Sequence, residues 1–85
     1  MSKNIKTLIE QARSDLSKLT GLNPSSIIGA VKSENGWRIS IEMIEKKSIP
    51  DQMDILATYE VVIDEDGNLL NFERKSLRKR IDTGT

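Results

Sequence analysis

The side chains of this chain that could do chemistry are carboxylates, amines, hydroxyls and a single phenol, because the sequence contains neither histidine nor cysteine. Zinc sites built on Cys or His, Ser–His triads and disulfides are therefore excluded within it. The five glycines are scattered rather than gathered into a phosphate-binding loop. We expect no bound cofactor, and the lack of cysteine fits a reducing compartment such as the cytoplasm.

The densest acidic cluster is the stretch DEDG at residues 64–67. If Gly67 takes the place of the invariant glycine of an EF-hand loop, the third, fifth and twelfth positions are all acidic, but the first falls on Val62, whose side chain cannot bind calcium. Asp-Gly between two apolar runs is instead typical of a hairpin turn. We therefore predict no metal site, and a structural role for Gly67.

Paired carboxylates for acid–base catalysis could come from the acidic side chains Glu42, Glu45, Asp54, Glu60 and Asp64. A catalytic carboxylic acid needs burial or a like-charged neighbour to raise its pKa. The alternation described below places Glu42 and Glu60 on the solvated face of a sheet. We therefore predict that this chain is not an enzyme.

The N-terminal segment has the pattern of an amphipathic helix. Its apolar residues recur three or four positions apart from Ile5 to Leu19, and Thr20-Gly21 ends the pattern with a natural left-handed cap. We predict a helix over residues 4–20 whose apolar stripe packs on a core. No apolar stretch resembles a signal peptide or a membrane span, so we expect a soluble cytoplasmic protein.

Four strands are predicted from the alternation of apolar and polar residues. They span about residues 26–33, 37–46, 55–64 and 68–74. Asn23-Pro24-Ser25 indicates a turn before the first strand. Glu34-Asn35-Gly36 indicates a hairpin turn of type I′, because Asn-Gly tolerates positive φ. Residues 75–85 are expected to form a short helical turn or a basic tail.

These elements predict a single α+β domain over residues 1–85, in which the N-terminal helix packs on one face of a four-stranded antiparallel meander sheet. A domain of this size buries a modest share of its surface and should be marginally stable alone. We expect Trp37 and Tyr59 to anchor the core and Pro50 to fix the connection between the second and third strands. The free edges of such a sheet are compatible with a homodimer.

The charge of the chain is zero overall but is sorted along the sequence. Residues 49–72 carry six acids and no base, whereas residues 73–85 carry five bases and two acids. A neutral total argues against general nucleic-acid binding, while local blocks can guide a partner. The outward sheet face and the basic segment form either an internal ion-pair lattice or a docking surface. The candidate contact residues are Arg38, Glu42, Glu60, Arg74, Arg78, Lys79 and Arg80.

One continuous pattern in the chain resembles a known family. It comprises Gly36-Trp37, Glu42, Glu45, Ile49-Pro50, Asp54, the run from Leu56 to Val61, Asp64 and Asp66-Gly67. This pattern is similar to that of the gas vesicle protein GvpO family, and the resemblance covers roughly residues 19–80. It implies a non-enzymatic accessory protein of gas vesicle formation, cytoplasmic or associated with gas vesicles. The partners it implies are other gas vesicle accessory proteins or the vesicle shell.

Two alternatives stay open. The basic C-terminal segment could contact nucleic acid and so regulate gas vesicle gene expression. The second hairpin is similar to that of PepSY-type domains, which would imply an inhibitory or ligand-binding module. No membrane partner is expected on either alternative.

Overall fold

One helix and four strands make up the computed structural model, which describes residues 4–47, 49–50 and 53–79. The elements are α1 (Ile5–Thr20), β1 (Asn23–Ser33), β2 (Gly36–Lys46), β3 (Ile55–Asp64) and β4 (Leu69–Lys79). The strands lie in the order β1-β2-β3-β4, and each neighbouring pair is antiparallel. The α+β fold class, a helix on one face of a four-stranded antiparallel meander, is thereby confirmed.

Helix α1 is capped at both ends by short-range hydrogen bonds. The Asn4 side chain accepts a hydrogen bond from the backbone N–H of Thr7 at 2.9 Å, which satisfies a free donor of the first turn. At the other end Gly21 adopts a left-handed φ of 74°, and its N–H donates to the Ser17 carbonyl at 2.8 Å. Both caps follow from residue types that the sequence places at the predicted ends.

The core forms where α1 lies on the central strands. The helix contributes Leu8, Ala12 and Leu16, which are buried and spaced one turn apart. The strand residues that pack under α1 alternate along β2 and β3: Ile39, Ile41, Met43, Ala57, Tyr59, Val61 and Ile63. Because successive strand side chains point to opposite faces, this alternation leaves the residues between them on the face away from α1.

The turn between β1 and β2 does not have the predicted type I′ geometry. That geometry needs a positive φ at its two central residues. None of the described non-glycine residues has a positive φ, and Gly36 does not have one either. The reason for glycine at this position is space, because a Cβ built on Gly36 would lie 1.9 Å from the carbonyl oxygen of Ile63. The backbone of β2 therefore starts in direct contact with the end of β3.

The first strand begins earlier than the sequence predicts. Residues 23–25 belong to β1 instead of forming a turn, and Pro24 pairs with Met43 of β2. Proline has no N–H for a ladder hydrogen bond, but β1 is an edge strand, where that loss is tolerated. The proline therefore lies within an edge strand, and the predicted turn at residues 23–25 is wrong.

The last strand continues beyond its predicted end. Where the sequence predicts a helical turn or a basic tail from residue 75, β4 runs on to Lys79. Residues 80–85 of that segment lie outside the described residues. The extra length arises because Ser76 to Lys79 pair with the first half of β3, down to Ile55. Because β3 begins as early as Ile55, it provides pairing partners for the basic segment up to Lys79, and this segment is therefore a strand.

A β-bulge interrupts the pairing of β4 at Lys75. Arg74 pairs with Tyr59 and Ser76 pairs with the adjacent Thr58, so Lys75 has no residue opposite it. An extra residue on one strand shifts the alternation of side chains by one position. The alternation of side chains between the two faces is therefore interrupted at Lys75. For this reason the alternation in the sequence predicts that the strand ends there.

Candidate functional site

The face of the sheet opposite α1, here called the open face, holds several of the predicted contact residues. Arg38 and Glu60 alternate with buried residues of β2 and β3, so they point away from the helix. Their charged groups form an ion pair at 4.0 Å between Arg38 Nε and Glu60 Oε1. Glu73 and Lys75 of β4 form a second pair at 2.7 Å. The open face is thus laced with intramolecular ion pairs.

The Glu73–Lys75 pair perturbs both of its members. The hydrogen bond and the charge of Lys75 lower the pKa of the Glu73 carboxyl. The hydrogen bond from the same partner raises the pKa of Lys75, with smaller help from the charge of Glu60. Because both side chains are exposed to solvent, the pair contributes little to stability. It does keep the two charges balanced on this face.

Glu42 is a buried carboxylate of the open face. Only 6% of it is exposed. Arg78 of β4 reaches across β3 and donates to Glu42 Oε2 from Nη2 at 2.7 Å and from Nε at 3.1 Å. The expectation that Glu42 projects into solvent is therefore wrong. The alternation of apolar and polar residues correctly predicts the face on which Glu42 lies. The guanidinium that covers it belongs to Arg78, in the segment that the sequence predicts to be a helical turn or a basic tail.

Arg74 lies on the other side of the sheet, opposite Tyr59 of β3. Its Nη1 is 3.3 Å from Glu45 Oε1, and the hydroxyl of Tyr59 donates to Glu45 Oε2 at 3.4 Å. Tyr59 is 8% exposed, and the centroid of its ring lies 6.3 Å from that of Phe72. Glu45 therefore links a buried phenol to an exposed guanidinium.

The environment of Tyr59 raises the pKa of its phenol. Burial is the largest cause, because it disfavours the phenolate. The charge of Glu45 and its hydrogen bond act in the same direction, while the charge of Arg74 opposes them. The folded state therefore holds the phenolic proton more tightly than the unfolded state does.

We predict that the phenol titrates above the value of free tyrosine, about 10. Tyr59 is the one tyrosine of the chain, so the absorbance of phenolate near 295 nm follows it alone. Because the folded pKa is raised, this group stabilises the fold below its unfolded pKa, and the contribution is lost as the pH rises through the folded value. Glu45→Gln should lower the pH at the midpoint of this titration, because it removes the charge of Glu45. A midpoint at or below that of free tyrosine would contradict the prediction.

In the acidic turn between β3 and β4, the carboxylate of Asp64 accepts hydrogen bonds from groups of the same turn. Asp64 Oδ1 accepts the backbone N–H groups of Asp66 and Asn68 at 2.9 Å each, and Oδ2 accepts the Asn68 side-chain amide at 3.0 Å. The Asn68 amide is the main reason that the pKa of the Asp64 carboxyl is lowered. Gly67 has a φ of 92°, and its N–H donates to the Asp64 carbonyl at 3.1 Å. The stretch DEDG is thus a hairpin turn.

The other predicted residues occupy separate places. Trp37 is half-buried at the margin of the core, with Lys32 Nζ 5.2 Å from its ring centroid. Pro50 is exposed in the connection between β2 and β3, where its carbonyl accepts the Met53 N–H at 3.0 Å. Lys79 is exposed at the end of β4, and Arg80 lies outside the described residues.

Two of the acidic residues considered for catalysis have surroundings that the sequence did not predict. Glu45 serves both Tyr59 and Arg74 because a register shift lies between Ile44 and Lys46, which displaces Glu45 from the regular ladder. Asp54 is 1% exposed just before β3. Asp54 is among the candidate carboxylates of the sequence, but no pattern in the sequence indicates that it is buried.

Within residues 4–47, 49–50 and 53–79, no group of three or more acidic side chains is arranged to hold a metal ion. In the same part of the chain no helix is long and apolar enough to cross a membrane. The described site is a set of ion pairs on both sides of one sheet.

Fold and site together define a small α+β protein in which one helix covers a meander sheet and carboxylates are matched by cations from the last strand. The chain belongs to the family described as gas vesicle synthesis protein GvpO, whose sequence model matches residues 1–83. The resemblance noted from the sequence is thereby confirmed.

Curated relatives agree with this assignment. Gas vesicle protein O of a Streptomyces species is 34% identical over 67 residues, which is 79% of this chain and 52% of the relative. Gas vesicle protein O1 of Halobacterium salinarum is 34% identical over 47 residues, or 55% of this chain and 40% of the relative. Gas vesicle protein O of Haloferax mediterranei is 35% identical over 49 residues, or 53% and 35%. The matched part thus spans about half or less of each relative, and no solved structure matches the chain.

Proposed function

We propose that this chain acts in gas vesicle formation as a small, non-catalytic protein–protein interaction module. The observation that carries the proposal is its membership of the gas vesicle synthesis protein GvpO family. The names of the relatives, gas vesicle protein O and O1, point to the same process. The partner proposed is another protein of gas vesicle formation, met in the cytoplasm or at the vesicle shell.

The ion pairs support a structural role for the acidic residues instead of a catalytic one. Glu42 is the best shielded carboxylate of the open face, and it is held by two hydrogen bonds from Arg78. A general acid or base needs a proton that can leave or arrive at a reacting group. A carboxylate held in an ion pair beneath a guanidinium is poorly placed for that work.

The contact surface proposed for the partner is the more exposed part of the open face. Arg38 and Glu60 keep 56% and 29% of their side chains exposed, and their charged groups are 4.0 Å apart, at the outer limit for an ion pair. Such a loose pair can exchange its internal partner for a group on another protein at little cost. Lys79, another predicted contact residue, pairs with Ile55 and so lies on the helix side of the sheet, outside this surface.

The nucleic-acid alternative has less support from the described cations. Arg74, Lys75 and Arg78 each lie within 3.3 Å of a carboxylate of the same chain. A phosphate backbone would have to displace these carboxylates before it gained the usual release of counterions. The alternative predicts steeply salt-dependent binding of DNA or RNA, which a filter or polarisation assay would detect.

The proposal is tested by co-expressing the tagged chain with each gas vesicle protein of its own organism, one at a time. We expect at least one of these to co-purify, and the variant Arg38→Ser/Glu60→Ser to reduce its recovery at least about tenfold, as for loss of a contact worth 1.4 kcal/mol. The matched control is Lys6→Ser/Glu10→Ser on the exposed side of α1, which also removes one base and one acid. Both variants should melt with the unaltered chain.

Three results would overturn the proposal. One is that none of the gas vesicle proteins co-purifies. Another is that the open-face variant and the helix control lose the partner equally, because the contact would then lie elsewhere. The third is that deletion of the coding sequence leaves gas vesicles unchanged in number and shape under electron microscopy.

A further inference from the structure

The outer edge of β4 is an unpaired strand edge in the described part of the chain. β4 is the last strand of the sheet, and every residue from Leu70 to Lys79 is exposed. An edge strand presents backbone N–H and C=O groups that can pair with a further strand. The question is which strand these groups would accept.

Two apolar side chains stand on the same side of this edge. Phe72 and Leu77 are 38% and 50% exposed. They lie opposite Val61 and Ala57, which belong to the core under α1, so both point to the helix side of the sheet. The bulge at Lys75 is what brings them to one side, because five positions of regular strand would place them on opposite faces.

These two residues are arranged symmetrically along the strand. Phe72 lies two positions before Arg74, and Leu77 lies two positions after Lys75. If a second copy runs antiparallel so that the bulges of the two copies meet at the two-fold axis, its Leu77 comes opposite Phe72, and the same contact repeats on the other side of the axis. The apolar pattern of β4 is therefore complementary to itself.

The ion pairs reduce the charge that would otherwise keep two copies apart. Arg74 is paired with Glu45 at 3.3 Å, Lys75 with Glu73 at 2.7 Å and Arg78 with Glu42 at 2.7 Å. Like charges directly opposite on neighbouring strands are destabilising. Because each of these cations has a carboxylate within its own chain, a strand that is basic in sequence is nearly balanced in the fold.

We propose that two copies of this chain associate through β4, antiparallel and with Phe72 of each copy against Leu77 of the other. The two four-stranded sheets then join into one continuous sheet with both helices on the same face. The dimer covers the exposed apolar side chains of β4, a gain that matters in a domain this small. It stands independently of the partner proposed above, since the contact surface around Arg38 stays accessible in the dimer.

The test uses the absence of cysteine, because every thiol in a variant is then an introduced one. We expect the double variant Phe72→Cys/Leu77→Cys to form disulfide-linked dimers under mild oxidation. Five positions of strand span about 16 Å, far beyond the reach of a disulfide, so this bond can form only between copies. Each single variant should stay largely unlinked, because in the proposed register neither residue faces its own equivalent.

The matched control is Ile28→Cys/Val31→Cys on β1, the opposite edge, whose two side chains are 55% and 65% exposed. It should remain monomeric on a non-reducing gel. Sedimentation of the unaltered chain should show a concentration-dependent dimer, and Leu77→Lys should raise its Kd at least about tenfold by placing two charges in the apolar contact. The sedimentation result does not depend on how well any cysteine variant folds.

The proposal fails if the unaltered chain sediments as a monomer at all concentrations, including the case in which β4 binds a strand of another protein. It also fails if the β1 control links as readily as the β4 variant. Linking of Phe72→Cys alone to its own equivalent would show a different register and would equally contradict the arrangement. A β-bulge can also prevent an edge strand from pairing with another chain. If the chain is a monomer, the bulge at Lys75 has that role.

Discussion

Replacement of Gly36 by alanine is expected to destabilise the fold by about 3 kcal/mol or more, at the upper end of the range for overpacking. The added Cβ would lie 1.9 Å from the carbonyl oxygen of Ile63 and 2.7 Å from the Cα of Asp64. Both are backbone atoms of a central strand, so no side-chain rotation can make room. Relief requires β2 and β3 to separate at the end where they are paired.

The measurement is urea-induced unfolding followed by the fluorescence of Trp37, the neighbouring residue and the one tryptophan of the chain. Gly29→Ala is the matched control, because a Cβ built there meets nothing within 4 Å and Gly29 lies in β1 of the same hairpin. We expect Gly29→Ala to leave the midpoint nearly unchanged. If Gly36→Ala and Gly29→Ala unfold at the same urea concentration, the close approach of β2 to β3 does not require glycine at position 36.

The second large effect is expected for Arg78→Ala, at about 1–3 kcal/mol, which is the usual cost of leaving a buried polar group without its partner. Glu42 is 6% exposed and loses both hydrogen bonds from the guanidinium, and it keeps the long hydrogen bond that Ser26 Oγ donates to its Oε1 at 3.5 Å. Lys79→Ala is the control, since it removes an exposed neighbouring cation from the same strand. In chemical denaturation, Arg78→Ala should unfold at a clearly lower denaturant concentration than Lys79→Ala.

A second substitution distinguishes burial of a charge from loss of packing. Glu42→Gln in the Arg78→Ala background should recover part of the lost stability, because an unpaired amide is less costly to bury than an unpaired carboxylate. If the double variant is as unstable as Arg78→Ala alone, the role of Arg78 lies in the packing of its aliphatic stem. Equal stability of Arg78→Ala and Lys79→Ala would show that the ion pair contributes nothing.

Much of the fold could be predicted because its signals are local. The apolar spacing of α1 and its Gly21 cap lie within one stretch of sequence, and so does the alternation in β2 and β3. The turn at Gly67 needs a positive φ, which glycine supplies cheaply. Each of these features depends on a residue and its near neighbours, and each is visible without knowledge of the partner strand.

The charged residues could not be placed from sequence because their partners are distant along the chain. Glu42 and Arg78 are separated by 36 positions, and their contact exists only because β4 continues past Arg74. The role of Gly36 likewise depends on how closely β3 approaches, which is a property of the assembled sheet. Alternation gives the face of a residue, whereas its burial depends on what the rest of the chain lays over it.

The bulge at Lys75 has a consequence for comparing this chain with its relatives. Arg74 and Ser76 already pair with adjacent residues of β3, so the ladder would close without Lys75 and every later residue would keep its partner. In an alignment, position 75 is therefore a natural site for a one-residue gap. A gap placed after Leu77 would instead align Leu77 with the counterpart of Arg78, and would assign the apolar edge of one protein to the ion-paired face of another.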